Sequence, residues 1–218
     1  MTDPALSGPR AAPARAIGVL VVATVGFALA LALRERVDPW RSTAVVAALS
    51  LALSAWVLGP RLRPLFAIPS RAAVVALALG GALVAATHAA FRLVAVVAPG
   101  LADAVRALYA SVDLGASRWS LVSLTALVVL GEELVWRGIA VEVVYARRPG
   151  WSRATIAMIS AALYVLPQLA GGVPLLVLAA AGLGGVFAAQ RMVTGRIADP
   201  LLTHLVWSIS VFVLAPLA

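Results

Sequence analysis

The chain has 218 residues, 63% of them hydrophobic and 12% charged, far above the roughly 45–50% apolar share of a soluble domain, so its solvent is lipid and a water-soluble globular protein is excluded. Its formal net charge of +8 comes from arginines clustered between apolar runs, where topology signals belong, and no basic-aromatic surface accompanies them; nucleic acid is not an expected partner. The absence of cysteine excludes disulfides, thiolate nucleophiles and Cys-ligated metals.

The residues at 1–15 read as a short polar, Pro-rich tail. The first apolar run, Ala16–Leu33, is long enough to cross a hydrocarbon core of roughly 30 Å and has no clear cleavage site after it, so it reads as a retained helix. Further spans are expected at Thr43–Leu58 and Ala72–Val97. Leu101–Ser117 mixes apolar residues with Asp103, Arg106 and Asp113, the pattern of a segment lying on the membrane surface. Four more spans follow at Trp119–Tyr145, Ala154–Ala170, Val173–Ala189 and Ile197–Leu217, each bounded by Arg, Pro or Gly. The expected fold class is therefore all-α, a polytopic membrane bundle of about seven transmembrane helices. It divides into the tail, N-terminal helices with the surface segment at 16–118, and a core at 119–218. Arginines counted in alternate loops favour a cytoplasmic N-terminus.

Charges interrupt the fourth span in "VVLGEELVWRGIAV" at 128–141. A carboxylate at mid-membrane costs at least roughly 2.5–3.5 kcal/mol, so Glu132 and Glu133 require partners or water. Glu133 and Arg137 stand four residues apart on one helix face and neutralise each other, while Glu132 points about 100° away. The same four-residue spacing recurs twice. Tyr164 and Gln168 share a face beside Pro167, where a kink is expected, and His204 and Ser208 share a face of the last helix. Read singly, such residues are packing groups or interhelical hydrogen bonds; their order along the chain is the stronger signal.

In that order, Glu132-Glu133-x-x-x-Arg137, Tyr164-x-x-x-Gln168 and His204-x-x-x-Ser208 resemble the motifs EExxxR, FxxxH and HxxxN/D of the CPBP family of intramembrane proteases, the CAAX-protease and bacteriocin-processing group. The resemblance runs over Trp119–Ser208 and includes a small-residue helix followed by a Thr-Gly turn. Three positions depart from the pattern: Gln168 stands for histidine, Ser208 for Asn or Asp, and Tyr164 for Phe.

The resemblance implies an endopeptidase acting on a membrane-associated peptide or protein, and the Arg-only, Ala-, Val- and Leu-rich usage of a compact chain points to a bacterial plasma membrane. Amide hydrolysis needs a water, a base and oxyanion donors in a wet cavity. Glu132 is the expected base, Glu133 and Arg137 organise it, His204 and Ser208 donate to the oxyanion, Gln168 holds water and Tyr164 contacts substrate. No cofactor is expected: a catalytic zinc takes three protein ligands, and the chain offers only His204 and His88 as imidazoles, so zinc stays open only if His88 faces the cavity. The altered Gln168 and Ser208 leave open a non-catalytic relative that binds membrane peptides or acts in immunity, and the Glu132 and His204 pair leaves open a proton-linked transporter.

Overall fold

The computed structural model describes residues 13–110 and 117–217. Of the expected tail at 1–15, residues 1–12 lie outside the described residues, as does the stretch 111–116 with Asp113, while 13–15 are not tail but the first turn of a helix, where Pro13 sets the backbone angle a helix start needs.

Eight continuous helices are found among the described residues, and no strand. Helix α1 is Pro13–Ala32 and α2 is Pro39–Phe66, which includes a 3-10 turn at Gly59–Arg61. Helix α3 is Ser70–Val97 and α4 is Pro99–Ala110. Helix α5 runs over 118–147, α6 is Arg153–Leu169, α7 is Pro174–Thr194 and α8 is Ala198–Leu214. Four of them, α1, α2, α3 and α7, are long and apolar enough to cross a membrane. The expected seven spans are not matched by that count: α6 and α8 are apolar but shorter than about 20 residues, and α5, the expected span at Trp119–Tyr145, is interrupted by a π turn and carries Glu132, Glu133, Arg137 and Glu142. The expected surface segment begins as the short helix α4, where Arg106 and Asp103 pair at 2.8 Å.

Local chemistry explains where several helices extend past the apolar runs. Helix α2 starts four residues before the expected Thr43 because Asp38 caps it, accepting from the backbone amides of Trp40 and Arg41 at 2.9 and 3.0 Å, with Pro39 in the first turn. Helix α7 continues to Thr194 until Gly195, at φ 72°, closes it with a bond from its amide to the Arg191 carbonyl. Helix α8 starts where Arg196 grips the buried Asp199 with two bonds, at 2.7 and 3.0 Å.

The outer surface is apolar. In α3 the buried residues are Ala76 and Gly80, while Val74, Val75, Leu77, Leu93 and Val96 are exposed. Such a face would be a large liability in water and is the expected one against lipid. With the apolar composition it makes the chain an integral membrane protein. Inside, α1 packs on α2 and α6, α2 on α5, α3 on α8, and α6 on α7. The helices before residue 118 thus wrap the C-terminal four. Close approach is set by glycine: a Cβ on Gly131 would meet the Ala47 carbonyl oxygen at 2.7 Å, so α2 and α5 touch backbone to backbone next to Glu132.

Candidate active site

Glu132 and Glu133 end the regular part of α5, and the next six residues, Leu134–Ile139, form a π turn. A wide turn of this kind is costly unless its carbonyls find partners. Here Ser160 of α6 donates to the Trp136 carbonyl at 2.6 Å, and Arg191 of α7 donates to the Arg137 carbonyl at 3.1 Å. Two neighbouring helices therefore hold the irregular turn that carries Arg137. Sequence periodicity gives no sign of it.

Glu133 and Arg137 are wholly buried and pair as expected, Nη1 to Oε1 at 3.4 Å. Arg137 also donates to the Gly184 carbonyl at 3.2 Å and lies over the rings of Tyr164 and Phe187 at 4.7 and 5.3 Å. Gly184 is required there, since a Cβ would sit 2.8 Å from the Tyr164 ring. The unexpected contact is a second one on Glu133. Its Oε1 also meets Nδ1 of His204 at 2.8 Å, across to α8. The α5 carboxylate thus fixes the histidine ring as well as the arginine, and Phe187 stacks on that ring at 4.5 Å between centroids.

Glu132 takes a different environment, as the helix phase requires. It lines a cavity of about 180 Å³, with its Oε2 3.8 Å from Nε2 of His204. The Tyr164 hydroxyl is directed at the same carboxylate. Tyr164, Gln168, His204 and Ser208 all line this cavity with Glu132, so five of the seven residues singled out in the sequence converge on one space. Glu133 and Arg137 stand behind it. Most of the remaining wall is apolar and aromatic, with Phe27, Trp40, Trp207 and Phe212 among its members. Phe212 is presented by a second π turn, Ser210–Leu214, and touches Trp40, Tyr109 and Trp207 at 5.6 to 5.8 Å between centroids. The N-terminal helices were read in the sequence only as membrane spans, yet α1, α2 and α4 supply part of this wall.

Chemically, the arrangement has a carboxylate and an imidazole nitrogen facing one another at 3.8 Å, too far for a direct hydrogen bond and too close for a water in line between them, with a cavity alongside where a water can bond to both. The Glu133 contact makes Nδ1 of His204 the proton-bearing nitrogen. A neutral ring then offers only a lone pair at Nε2, so donation from His204 to an oxyanion needs the doubly protonated ring. The donor set does not fit a catalytic zinc: Nδ1 of His204 is engaged by Glu133, leaving Nε2 and Glu132 as two ligands where three are needed. His88 cannot supply the third, for its two ring nitrogens lie 3.0 Å from the carbonyls of Val84 and Ala215, and it is not part of the cavity wall.

Fold and site together define a helical membrane protein with a buried acid–histidine–arginine cluster opening on an apolar cavity. Residues 114–210 match the family model described as type II CAAX prenyl endopeptidase Rce1-like, a protease family, and the match is consistent with the CPBP family. The matched stretch holds all seven of the residues above. No curated protein and no solved structure shows a significant match.

Proposed function

We propose that the protein is an intramembrane endopeptidase of the CPBP, CAAX-protease-like kind, which hydrolyses a peptide bond in a membrane-associated peptide or protein. The observation that carries this reading is the Glu132–His204 pair at the floor of an apolar cavity, with His204 held from behind by Glu133.

In a medium of low polarity the cluster is cheapest when neutral. Two carboxylates against Arg137 leave one negative charge, which one proton shared between Glu132 and His204 cancels. With that proton on His204, Glu132 is an ionised base and Nε2–H is a donor. A water in the cavity beside them loses its proton to Glu132 as its oxygen adds to the scissile carbonyl carbon. The carbonyl oxygen becomes an oxyanion, stabilised by His204 and by the Ser208 hydroxyl. Collapse of the adduct breaks the C–N bond, and the proton on Glu132 passes to the departing amine. Gln168 has an amide that can hold the water or the substrate but cannot accept a proton.

Gln168 also motivates the second reading, a catalytically impaired relative that binds membrane peptides or serves in immunity. The test is to incubate the purified full chain with a library of membrane peptides and to compare it with Glu132→Ala. Products from the wild type alone support the peptidase; products from neither support the binder; equal products from both remove Glu132 from the chemistry.

The proposed setting is a bacterial plasma membrane with a cytoplasmic N-terminus. In support, Pro13 lies beside Leu58 and Glu142 at the end of the bundle where Arg61 pairs with Glu142 and Arg153 reaches the Met192 carbonyl. The helix ends and loop at that end carry Arg63, Arg71, Arg147 and Arg148, all exposed.

A further inference from the structure

Thr125 lies on α5 seven residues before Glu132. Seven residues are two turns, so both side chains fall on one face, about 10 Å apart at 1.5 Å per residue. Both line the cavity. Thr125 is 2% exposed, and its hydroxyl has no hydrogen-bond partner among the described residues.

That state is unusual for a threonine inside a helix, which ordinarily returns its hydroxyl to the carbonyl one turn back. Thr43, Thr87, Thr194 and Thr203 each do so in this protein, at 2.6 to 3.1 Å. Thr125 forgoes that bond. A buried hydroxyl left unpaired is costly, and a polar atom of a ligand in the cavity would offset that cost.

Much of the cavity wall is apolar, including Val128, Val129 and Phe212. A ligand that fits such a wall and still carries polar atoms at regular intervals is an extended peptide backbone with apolar side chains. Its rise is about 3.3 Å per residue, so 10 Å corresponds to three residues.

We propose that Thr125 is a substrate-binding residue that hydrogen-bonds the main chain of an extended apolar peptide three residues from the bond held over Glu132. This rests on the peptidase reading for its register, but the interaction itself is a binding event and is measured without turnover.

The experiment uses detergent-solubilised full chain carrying Glu132→Gln, which does not consume the probe. The probe is a fluorescein-labelled ten-residue peptide of Leu, Val and Ala, together with a nested set in which each amide in turn is replaced by an ester. One ester position is expected to weaken binding about 2- to 10-fold, the range of a single hydrogen bond. Thr125→Val, which keeps the shape and removes the hydroxyl, weakens binding of the all-amide peptide by a similar factor and no longer distinguishes that ester. Thr125→Ser restores both. If the peptide shows no saturable binding, or if Thr125→Val binds as tightly as Thr125 and the same ester remains unfavourable in both, the proposal is overturned. Wild-type protein that binds in this Thr125-dependent way yet cleaves nothing would overturn the peptidase reading while leaving the Thr125 assignment standing.

Discussion

Glu133 has two partners, and the way to separate them is to remove its charge and then the charge it neutralises. Glu133→Gln keeps the shape and can still accept from Nδ1 of His204, but it leaves the wholly buried Arg137 without a counter-charge. Breaking a buried ion pair from one side costs about 3–5 kcal/mol. The Gly184 carbonyl and the faces of Tyr164 and Phe187 remain on the guanidinium and offset part of this, at about 0.5–2 kcal/mol per cation–π contact. The expected net loss is about 2–4 kcal/mol. Adding Arg137→Met removes the orphaned charge and fills similar space, so the double variant should return to within about 1 kcal/mol of the parent. Cleavage should behave differently. His204 in both variants lacks the carboxylate that stabilises its protonated form, so turnover should fall by about 10²–10⁴-fold in the single and stay low in the double. Denaturant unfolding in micelles measures the first quantity and peptide cleavage the second. A single variant as stable as the parent would refute the ion-pair account, and a double variant that regains cleavage together with stability would refute the role given to Glu133 in holding His204.

Four shorter expectations follow from the same contacts. Gln168→His, which puts a proton acceptor back on the cavity wall, should raise cleavage at least tenfold (about 1.4 kcal/mol of barrier) if the peptidase reading holds; an unchanged rate in a stable variant would favour the binder. Gly131→Ala drives a methyl into the Ala47 carbonyl and should cost about 1–3 kcal/mol, read as a lower unfolding midpoint, with cleavage falling further because Glu132 is displaced. Asp199→Ala strands the partly buried Arg196 and removes an acid from the first turn of α8; a loss of about 1–3 kcal/mol is expected, and no shift in the melting midpoint would show that the pair is structurally idle. Because the chain has no cysteine, single Arg148→Cys and Val37→Cys proteins report topology directly: an impermeant thiol reagent added to intact cells should label the second and spare the first, and the reverse pattern would invert the proposed orientation.

The amino-acid sequence alone determined that this is an all-helical membrane chain, because a lipid solvent leaves helices as the way to satisfy a backbone in long apolar runs. It also picked out Glu132, Tyr164, Gln168, His204 and Ser208, since polar groups are costly in such runs and four-residue spacing puts them on common faces. Helix ends at Asp38-Pro39 and Thr194-Gly195 were written in capping chemistry, which is local, though the apolar runs by themselves place those ends several residues away. Tertiary structure decided the rest. The bond from His204 to Glu133 joins residues 71 positions apart, and no spacing rule reaches between helices. The π turn at Leu134–Ile139 depends on Ser160 and Arg191, two side chains from other helices that accept the task of satisfying its carbonyls. Thr125 looks like any helical threonine in the sequence; only the cavity formed when α1, α2, α4, α6, α7 and α8 close around α5 shows that its hydroxyl is buried and unpaired. Local pattern fixes which face of a helix a residue occupies, and packing alone fixes what that face meets.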